Sequence, residues 1–217
     1  MKAAIFDMDG LLLDSEPLWK EAEITVFNSV GVPLTKELCQ ETVGVRIDGV
    51  VRYWYKKFPW QKESLKSVEA RILDEVSRLI LEDGRLMPGV SETIEALRTA
   101  NYTLAVASSS PMQLIRAALE RFEVIDFFSV LHSAEFEEKG KPDPAVYLST
   151  ISRLGSDPRD CIALEDSVPG VRAAKSAGAR VIAVPDPADI SNPGFAAADV
   201  VLSSLTDFSI ERIEDGW

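Results

Sequence analysis

Short apolar segments that lack polar/apolar alternation recur along the chain, and each is followed by a turn and a helix-like stretch. Strands that are apolar on both faces are typical of parallel sheets covered by helices on both sides. Their alternation with helices therefore predicts an α/β fold built on a doubly wound parallel sheet. The predicted strands are Ala3–Phe6, Thr103–Ala107, Phe128–Leu131, Cys161–Leu164, Arg180–Val184 and, more weakly, Asp199–Leu202.

One stretch departs from this alternation. Residues 15–85 show helical periodicity, and turn signals at Gly31–Pro33 and Phe58–Pro59 separate the helices. We find no convincing strand among them. The pattern predicts a helical cap of residues 15–85, inserted after the first strand into a discontinuous α/β core of residues 1–14 and 86–217.

The net charge of the chain limits the classes of molecule that it can bind. The 217 residues include 23 Lys and Arg against 35 Asp and Glu, a net charge of −12. Such a field repels phosphate backbones, so we expect no nucleic-acid partner. An anionic substrate would need a local cationic site.

The chain also lacks signals for membranes or disulfides. No apolar run approaches the ~18 residues of a membrane span, and aspartates stand where a signal peptide would carry its apolar stretch. Cys39 and Cys161 form neither a disulfide framework nor a CxxC pair. We expect a cytoplasmic monomer without a membrane partner.

Polar residues follow the predicted strands where a parallel sheet would bring them together. Strand one ends in Asp7 and Asp9, strand two in Ser108–Ser110, and strand four in Glu165–Asp166, while Lys141 follows strand three after a loop. Ligands of open α/β sheets bind at the carboxyl ends of the strands. We therefore expect these side chains to form one site.

The residue types at this edge indicate phosphate chemistry. Four crowded acids cannot all stay ionised without a cation, and Mg²⁺ prefers oxygen ligands. Magnesium with Lys141 would hold a phosphate inside an acidic protein, and Ser108 at a helix start also favours an anion. With Asp7 and Asp9 at i and i+2, one carboxylate can attack phosphorus while the other carries the proton.

At these residues the sequence resembles the haloacid dehalogenase superfamily of phosphotransferases, whose four motifs occur here in order. Asp7–Gly10 matches the DxDG motif, Ser108 the strand-end Ser/Thr, Lys141 the lysine within GKPDP, and Glu165–Asp166 the acidic pair within LEDS. The match spans the whole chain. It implies a Rossmann-like core and a small phosphorylated metabolite as substrate.

The resemblance also implies roles for individual residues. Asp7 would be the nucleophile and Asp9 the acid/base. The metal ligands would be the Asp7 side chain, the Asp9 backbone carbonyl and Asp166, with Glu165 binding directly or through water. Ser108, the backbone of Ser109 and Lys141 would bind the transferred phosphoryl group.

The position of the helical insert resembles the subgroup with a small helical cap, which includes β-phosphoglucomutase and sugar-phosphate phosphatases. The runs FDMDGLLLDSEPLW and RIDGVVRYWYKKFPW are similar to those of 2-deoxyglucose-6-phosphate (hexitol phosphate) phosphatases. We therefore expect a Mg²⁺-dependent phosphoric monoester hydrolase that acts on sugar or sugar-alcohol phosphates.

Three other functions are weighed against this one. A phosphomutase of the β-phosphoglucomutase type carries a threonine and a histidine after the DxDG loop, where this chain has Leu11–Leu13 and Trp19. A dehalogenase needs neither Asp9 nor the acidic pair. A receiver-type signalling module needs only about 120 residues and has no helical insert.

The sequence leaves two interpretations open for each of two further side chains. Arg46 either reaches the substrate from the insert or forms a surface salt bridge. Ser110 either belongs to the site or, as we favour, caps the helix that follows it.

Overall fold

Six parallel strands form one sheet in the order β3-β2-β1-β4-β5-β6 in the computed structural model, which describes residues 1–211. Every neighbouring pair in this sheet is parallel. The order confirms the predicted doubly wound sheet. Its strands are β1 (Ala3–Phe6), β2 (Thr103–Ser108), β3 (Phe128–Ser133), β4 (Cys161–Glu165), β5 (Arg180–Ala183) and β6 (Val200–Val201).

Eight α-helices of at least four residues accompany the sheet within residues 1–211. The first four lie between β1 and the rest of the core, where the helical insert is predicted. They are α1 (Glu16–Ser29), α2 (Lys36–Cys39), α3 (Ile47–Lys57) and α4 (Leu65–Asp83). The others are α5 (Val90–Thr99), α6 (Met112–Arg121), α7 (Ala145–Leu154) and α8 (Val168–Ser176).

The two faces of the sheet pack against different helices because alternate residues of each strand point to opposite sides. On one face, Phe6 and Val106 pack in a cluster with α5, α6 and the helices of the insert. The other face is rich in alanine, including Ala105 and Ala163, and packs against α7 and α8. Small side chains on that face leave room for these helices close to the sheet.

The two ends of the insert run side by side. The amide of Asp14 donates to the Arg85 carbonyl at 2.9 Å, and the amide of Met87 donates to the Leu12 carbonyl at 2.9 Å. The chain therefore leaves the core and returns to it at neighbouring points. The division at residues 14/15 and 85/86 into separate domains stays a prediction.

Arg46 joins the insert to the core at a second place. Its Nη1 donates to the backbone carbonyls of Ala134 and Glu137, at 2.8 and 2.9 Å. Its Nε and Nη2 bind the Asp48 carboxylate at 2.7 and 3.0 Å. Arg46 is thus a half-buried bridge between α3 and the segment that follows β3, and it lies outside the lining of the cavity described below.

We expect Arg46→Ala to destabilise the protein by about 2 kcal/mol, because it removes charge-assisted hydrogen bonds that link the insert to the core. Amide exchange around residues 134–137 should become faster. Arg52→Ala is the matched control. It removes an arginine that also binds Asp48 but is 62% exposed, so it should cost well under 1 kcal/mol. Urea denaturation with hydrogen exchange checks both, and equal losses would contradict the bridge.

Cys39 and Cys161 are both free and buried, so they pack as small apolar side chains. Within residues 1–211, each helix is too short or too polar to cross a lipid bilayer.

Candidate active site

The residues predicted to form a site meet at the carboxyl ends of β1, β2 and β4. Six of the seven line one cavity between the sheet and the insert. These six are Asp7, Asp9, Ser108, Ser109, Lys141 and Asp166. The seventh, Glu165, lies outside the cavity lining and is fully buried. The roles assigned to them remain predictions, but their proximity is now a structural observation.

Lys141 joins two buried carboxylates. Its Nζ donates to Asp7 Oδ1 at 2.6 Å, to Glu165 Oε1 at 2.5 Å and to the Ala107 carbonyl at 3.2 Å. Burial raises the pKa of Asp7 to about 7, although the Lys141 ammonium opposes this shift. The two neighbouring carboxylates raise the pKa of Lys141 in spite of its burial. Lys141 therefore remains charged and compensates part of the acidic cluster.

Glu165 is held from several sides. Besides Lys141, it accepts hydrogen bonds from the Tyr147 hydroxyl at 2.6 Å and the Ser167 hydroxyl at 3.2 Å. A Cβ on Gly170 would lie only 1.9 Å from Glu165 Oε1, so this close approach requires glycine. Burial and the Glu165 charge raise the pKa of Tyr147 well above its ordinary value, so Tyr147 stays a donor.

The acidic cluster has the properties of a divalent metal site. Asp7, Glu165 and Asp166 each offer an oxygen atom within 4.8 Å of the others. Asp166 Oδ1 is buried and has no hydrogen-bond partner among the described residues. Burial, followed by the charges of Asp7 and Glu165, raises the pKa of Asp166 well above its ordinary value. A cation at this position would give Asp166 Oδ1 a partner and favour the ionised acids.

Asp9 is oriented by three donors. Its Oδ1 accepts from the Ser15 hydroxyl at 2.7 Å and the Trp19 indole at 2.8 Å. Its Oδ2 accepts from the Ser110 hydroxyl at 2.6 Å. Our prediction that Ser110 caps the following helix is wrong: α6 begins after Pro111 without a side-chain cap. The carboxylate of Asp9 competes successfully for that hydroxyl.

The serines at the carboxyl end of β2 line the same cavity. Ser108 is fully buried, and its hydroxyl accepts a hydrogen bond from the Ser110 amide at 3.0 Å. The Ser109 hydroxyl is buried and has no partner among the described residues. An unpartnered donor beside Lys141 and Asp7 is the kind of group that a phosphoryl oxygen would satisfy.

Comparison with known proteins identifies the family. The family model for haloacid dehalogenase-like hydrolases matches residues 4–184. The chain belongs to that family. This confirms the resemblance carried by the four motifs.

Two relatives of this hydrolase that are at least 36% identical to it are phosphatases. Hexitol phosphatase B of Escherichia coli (strain K12) is 44% identical over 213 residues, which cover 97% of this chain and 96% of the relative. The phosphorylated carbohydrates phosphatase of Thermotoga maritima is 36% identical over 82% of each chain. The hydrolase described here is accordingly a phosphatase, a phosphoric monoester hydrolase.

A solved structure has the same fold as this hydrolase. CbbY from Rhodobacter sphaeroides, crystallised in complex with phosphate, superposes with a TM-score of 0.84 at 27% identity. The match covers 95% of this chain and 96% of CbbY. The α/β sheet and the helical insert of this hydrolase thus follow a known family architecture.

The insert of this hydrolase supplies the remaining walls of the cavity. Helix α1 contributes four residues at helical spacing, and the chain around α2 and α3 contributes a mixed polar and apolar surface. These residues are Glu16, Trp19, Lys20, Glu23, Cys39, Thr42, Val43, Gly44, Val45, Ile47 and Val50. The insert therefore supplies most of the cavity lining beyond the six predicted site residues.

Glu23 is an unusual member of this wall because it is only 8% exposed. Burial, and to a smaller degree the charge of Glu16, raise its pKa to about 8, although the neighbouring Cys39 thiol opposes this shift. Glu23 is therefore mostly neutral at pH 7. It is a carboxylic acid that can both donate and accept.

We expect the stability difference between the wild type and Glu23→Gln to depend on pH. Folded wild type holds a proton on Glu23 up to about pH 8, whereas the unfolded chain releases it near 4.5. The wild type therefore loses stability relative to Glu23→Gln as pH rises from 5 to 8, by up to about 4 kcal/mol. Urea denaturation of both proteins at pH 5, 6.5 and 8 checks this, and a constant difference would contradict it.

Several residues around the site are not identified by sequence reasoning. Ser15 and Trp19 lie at i and i+4 in the DSEPLW run, so they share a helical side near the DxDG loop. That spacing is a usable sequence signal for side chains that contact Asp9. Tyr147 offers no such signal, since it lies in the first turn of an ordinary amphipathic helix. Its contact with Glu165 depends on how α7 packs beneath the sheet edge.

Proposed function

We propose that this phosphatase is Mg²⁺-dependent and hydrolyses sugar or sugar-alcohol phosphates through an aspartyl-phosphate on Asp7. The observation that carries the proposal is the meeting of Asp7, Lys141 and Asp166 in one cavity roofed by the helical insert. A nucleophilic carboxylate, a cation for the phosphoryl group and an acidic pair for a metal are the parts that such a hydrolysis needs.

Asp7 and Asp166, with the backbone carbonyl of Asp9, would hold the magnesium ion. Glu165 already accepts from Lys141, Tyr147 and Ser167, so we assign it to orienting Lys141 and, through water, to the metal. When bound, Mg²⁺ would offset the charge of the phosphoryl oxygens and keep Asp7 ionised. Burial raises the pKa of Asp7, which supports the need for a cation beside it.

The reaction would proceed in two displacements. An Asp7 carboxylate oxygen attacks phosphorus, the ester P–O bond breaks, and Asp9 gives its proton to the leaving alcohol. A water molecule then attacks the same phosphorus and gives its proton to Asp9, and the bond between phosphorus and Asp7 breaks to release phosphate. Ser15, Trp19 and Ser110 would keep Asp9 oriented through both steps. Lys141 and the Ser108–Ser109 segment would bind the phosphoryl oxygens.

The substrate class is supported by the relatives and by the cavity. Proteins named for hexitol and carbohydrate phosphates share 44% and 36% identity with this chain. The insert lines the cavity with polar groups such as Glu16, Lys20, Glu23 and Thr42 as well as with valines. A mixed lining of this kind suits a carbon chain that bears hydroxyl groups.

The alternative, a β-phosphoglucomutase-type phosphomutase, is less well supported. A mutase handles a bisphosphorylated intermediate and so needs a cation for the second phosphate. Arg46 is engaged by Asp48 and by two backbone carbonyls outside the cavity lining. Lys20, the cation that α1 contributes to the lining, forms an ion pair with Glu16 at 2.5 Å.

The test is phosphate release from a panel of hexose and deoxyhexose 6-phosphates, hexitol phosphates, glycerol phosphates, nucleotides and β-glucose 1-phosphate. Each substrate is assayed with Mg²⁺ and with chelator. We expect metal-dependent release that is fastest with hexitol or deoxyhexose phosphates. Conversion of β-glucose 1-phosphate to glucose 6-phosphate without phosphate release would favour the mutase. Release that is unaffected by chelator would refute the metal requirement.

A further inference from the structure

Helix α1 serves both the reacting centre and the substrate-binding wall. Trp19 donates to Asp9, and one turn further Glu23 lines the same cavity. The two residues are four apart, so they share one side of the helix. A substrate held near Asp9 is therefore also close to the side of α1 that carries Glu23.

Glu23 is buried with little compensation. Within the described residues, the side chain that offers a hydrogen to the Glu23 carboxyl group is the Cys39 thiol, which is a weak donor. A buried carboxyl group normally has strong partners, because leaving its donor and acceptor capacity unused costs stability. The spare capacity faces a cavity that must hold a ligand.

The charges around Glu23 favour hydroxyl groups over a second phosphate. Glu16 and Glu23 lie on either side of Lys20 in the lining, and Glu16 already pairs with Lys20. A second phosphate group would meet acids without a free cation from this helix. A hydroxyl group both donates and accepts, which matches a neutral carboxyl group.

We infer that Glu23 is a specificity-determining residue whose carboxyl group exchanges hydrogen bonds with hydroxyl groups on the carbon chain of the substrate. The inference rests on the proposed function, because it concerns the alcohol part of a sugar-alcohol or sugar phosphate. It assigns to Glu23 no part in the displacement at phosphorus. Its effect is on which alcohol the cavity accepts.

The experiment compares a hydroxylated substrate with one that has no hydroxyl groups on its leaving group. Sorbitol 6-phosphate and phenyl phosphate are assayed with the wild type, Glu23→Leu, Glu23→Met and Glu23→Gln. The readout is the ratio of kcat/KM for sorbitol 6-phosphate to that for phenyl phosphate. We expect both apolar variants to lower this ratio at least tenfold, mainly through a higher KM for sorbitol 6-phosphate. Glu23→Gln should stay within threefold of the wild type, because an amide also donates and accepts.

Glu21→Leu is the matched control, since Glu21 is exposed on the same helix and should leave the ratio unchanged. A ratio that stays within twofold in Glu23→Leu and Glu23→Met would overturn the inference and give Glu23 a purely structural role. Failure of the proposed function looks different. In that case the wild type itself would cleave phenyl phosphate but neither sorbitol 6-phosphate nor 2-deoxyglucose 6-phosphate, which overturns the substrate class and the inference with it.

Discussion

Asp7→Asn is expected to abolish phosphate release, with kcat lowered by at least about 10⁴-fold, as is typical when a nucleophile is removed. The amide is a poor nucleophile, and no aspartyl-phosphate can form on it. Asparagine has the same shape and keeps an oxygen that can accept the hydrogen bond that Lys141 donates to Asp7. The fold should therefore persist, and thermal unfolding of the variant checks that it does. Phosphate release under saturating substrate and Mg²⁺ is the measurement.

Asp9→Asn separates the two aspartates in their proposed roles. An aryl phosphate has a leaving group that needs little protonation, so this variant should still transfer the phosphoryl group to Asp7. The second step lacks its base and should become rate-limiting. We expect a burst of one phenol per enzyme, followed by slow turnover.

Residual activity of Asp7→Asn above a tenth of the wild-type rate would contradict nucleophilic attack by Asp7.

Lys141→Met is expected to destabilise the metal-free protein by about 3–5 kcal/mol. The side chains of Lys141 and Glu165 are 2% and 0% exposed, and that of Asp7 is 9% exposed. Removal of one partner from a buried ion pair is costly because the other charge is left uncompensated. Here two carboxylates lose the same ammonium. Urea denaturation at pH 7.5 in the presence of chelator measures the loss.

A second substitution tests the cause of that loss. Glu165→Gln in the Lys141→Met background removes one uncompensated charge while keeping an acceptor for the Tyr147 hydroxyl. We expect the double variant to be more stable than Lys141→Met alone. A double variant that is less stable than either single variant would show that packing, rather than charge, dominates at Lys141.

The sheet and the reacting edge could be read from the sequence for a simple physical reason. Strands buried on both faces must be apolar throughout, and the polar residues at their carboxyl ends then stand out. Asp7 was identifiable because it directly follows such a strand, and Ser108 and Glu165 because each ends one. The order of the strands was not needed to predict this edge, because all strands of a parallel sheet have their carboxyl ends on the same side.

Other parts of the site depend on contacts that no local pattern encodes. Ser110 precedes a proline, which locally favours a helix cap, but the Asp9 carboxylate 101 positions away takes its hydroxyl. From the sequence, Glu23 is a polar residue of an amphipathic helix, and it becomes buried only when α1 packs against other elements such as α2. Local propensities predict elements well, whereas they do not predict which side chains of separate elements meet.

The two connecting segments are paired where the Asp14 amide donates to the Arg85 carbonyl, and this pairing has a consequence for how such proteins diversify. The ends of the insert are neighbours, so another segment whose ends meet at the same spacing can take its place without altering the strand order. Under the proposed function, recombination at these two points would replace the side chains that select the alcohol and would keep Asp7 in the core. The helical insert can thus be replaced while the α/β core is kept, provided that the incoming segment brings its own apolar face and its own partner for Asp9.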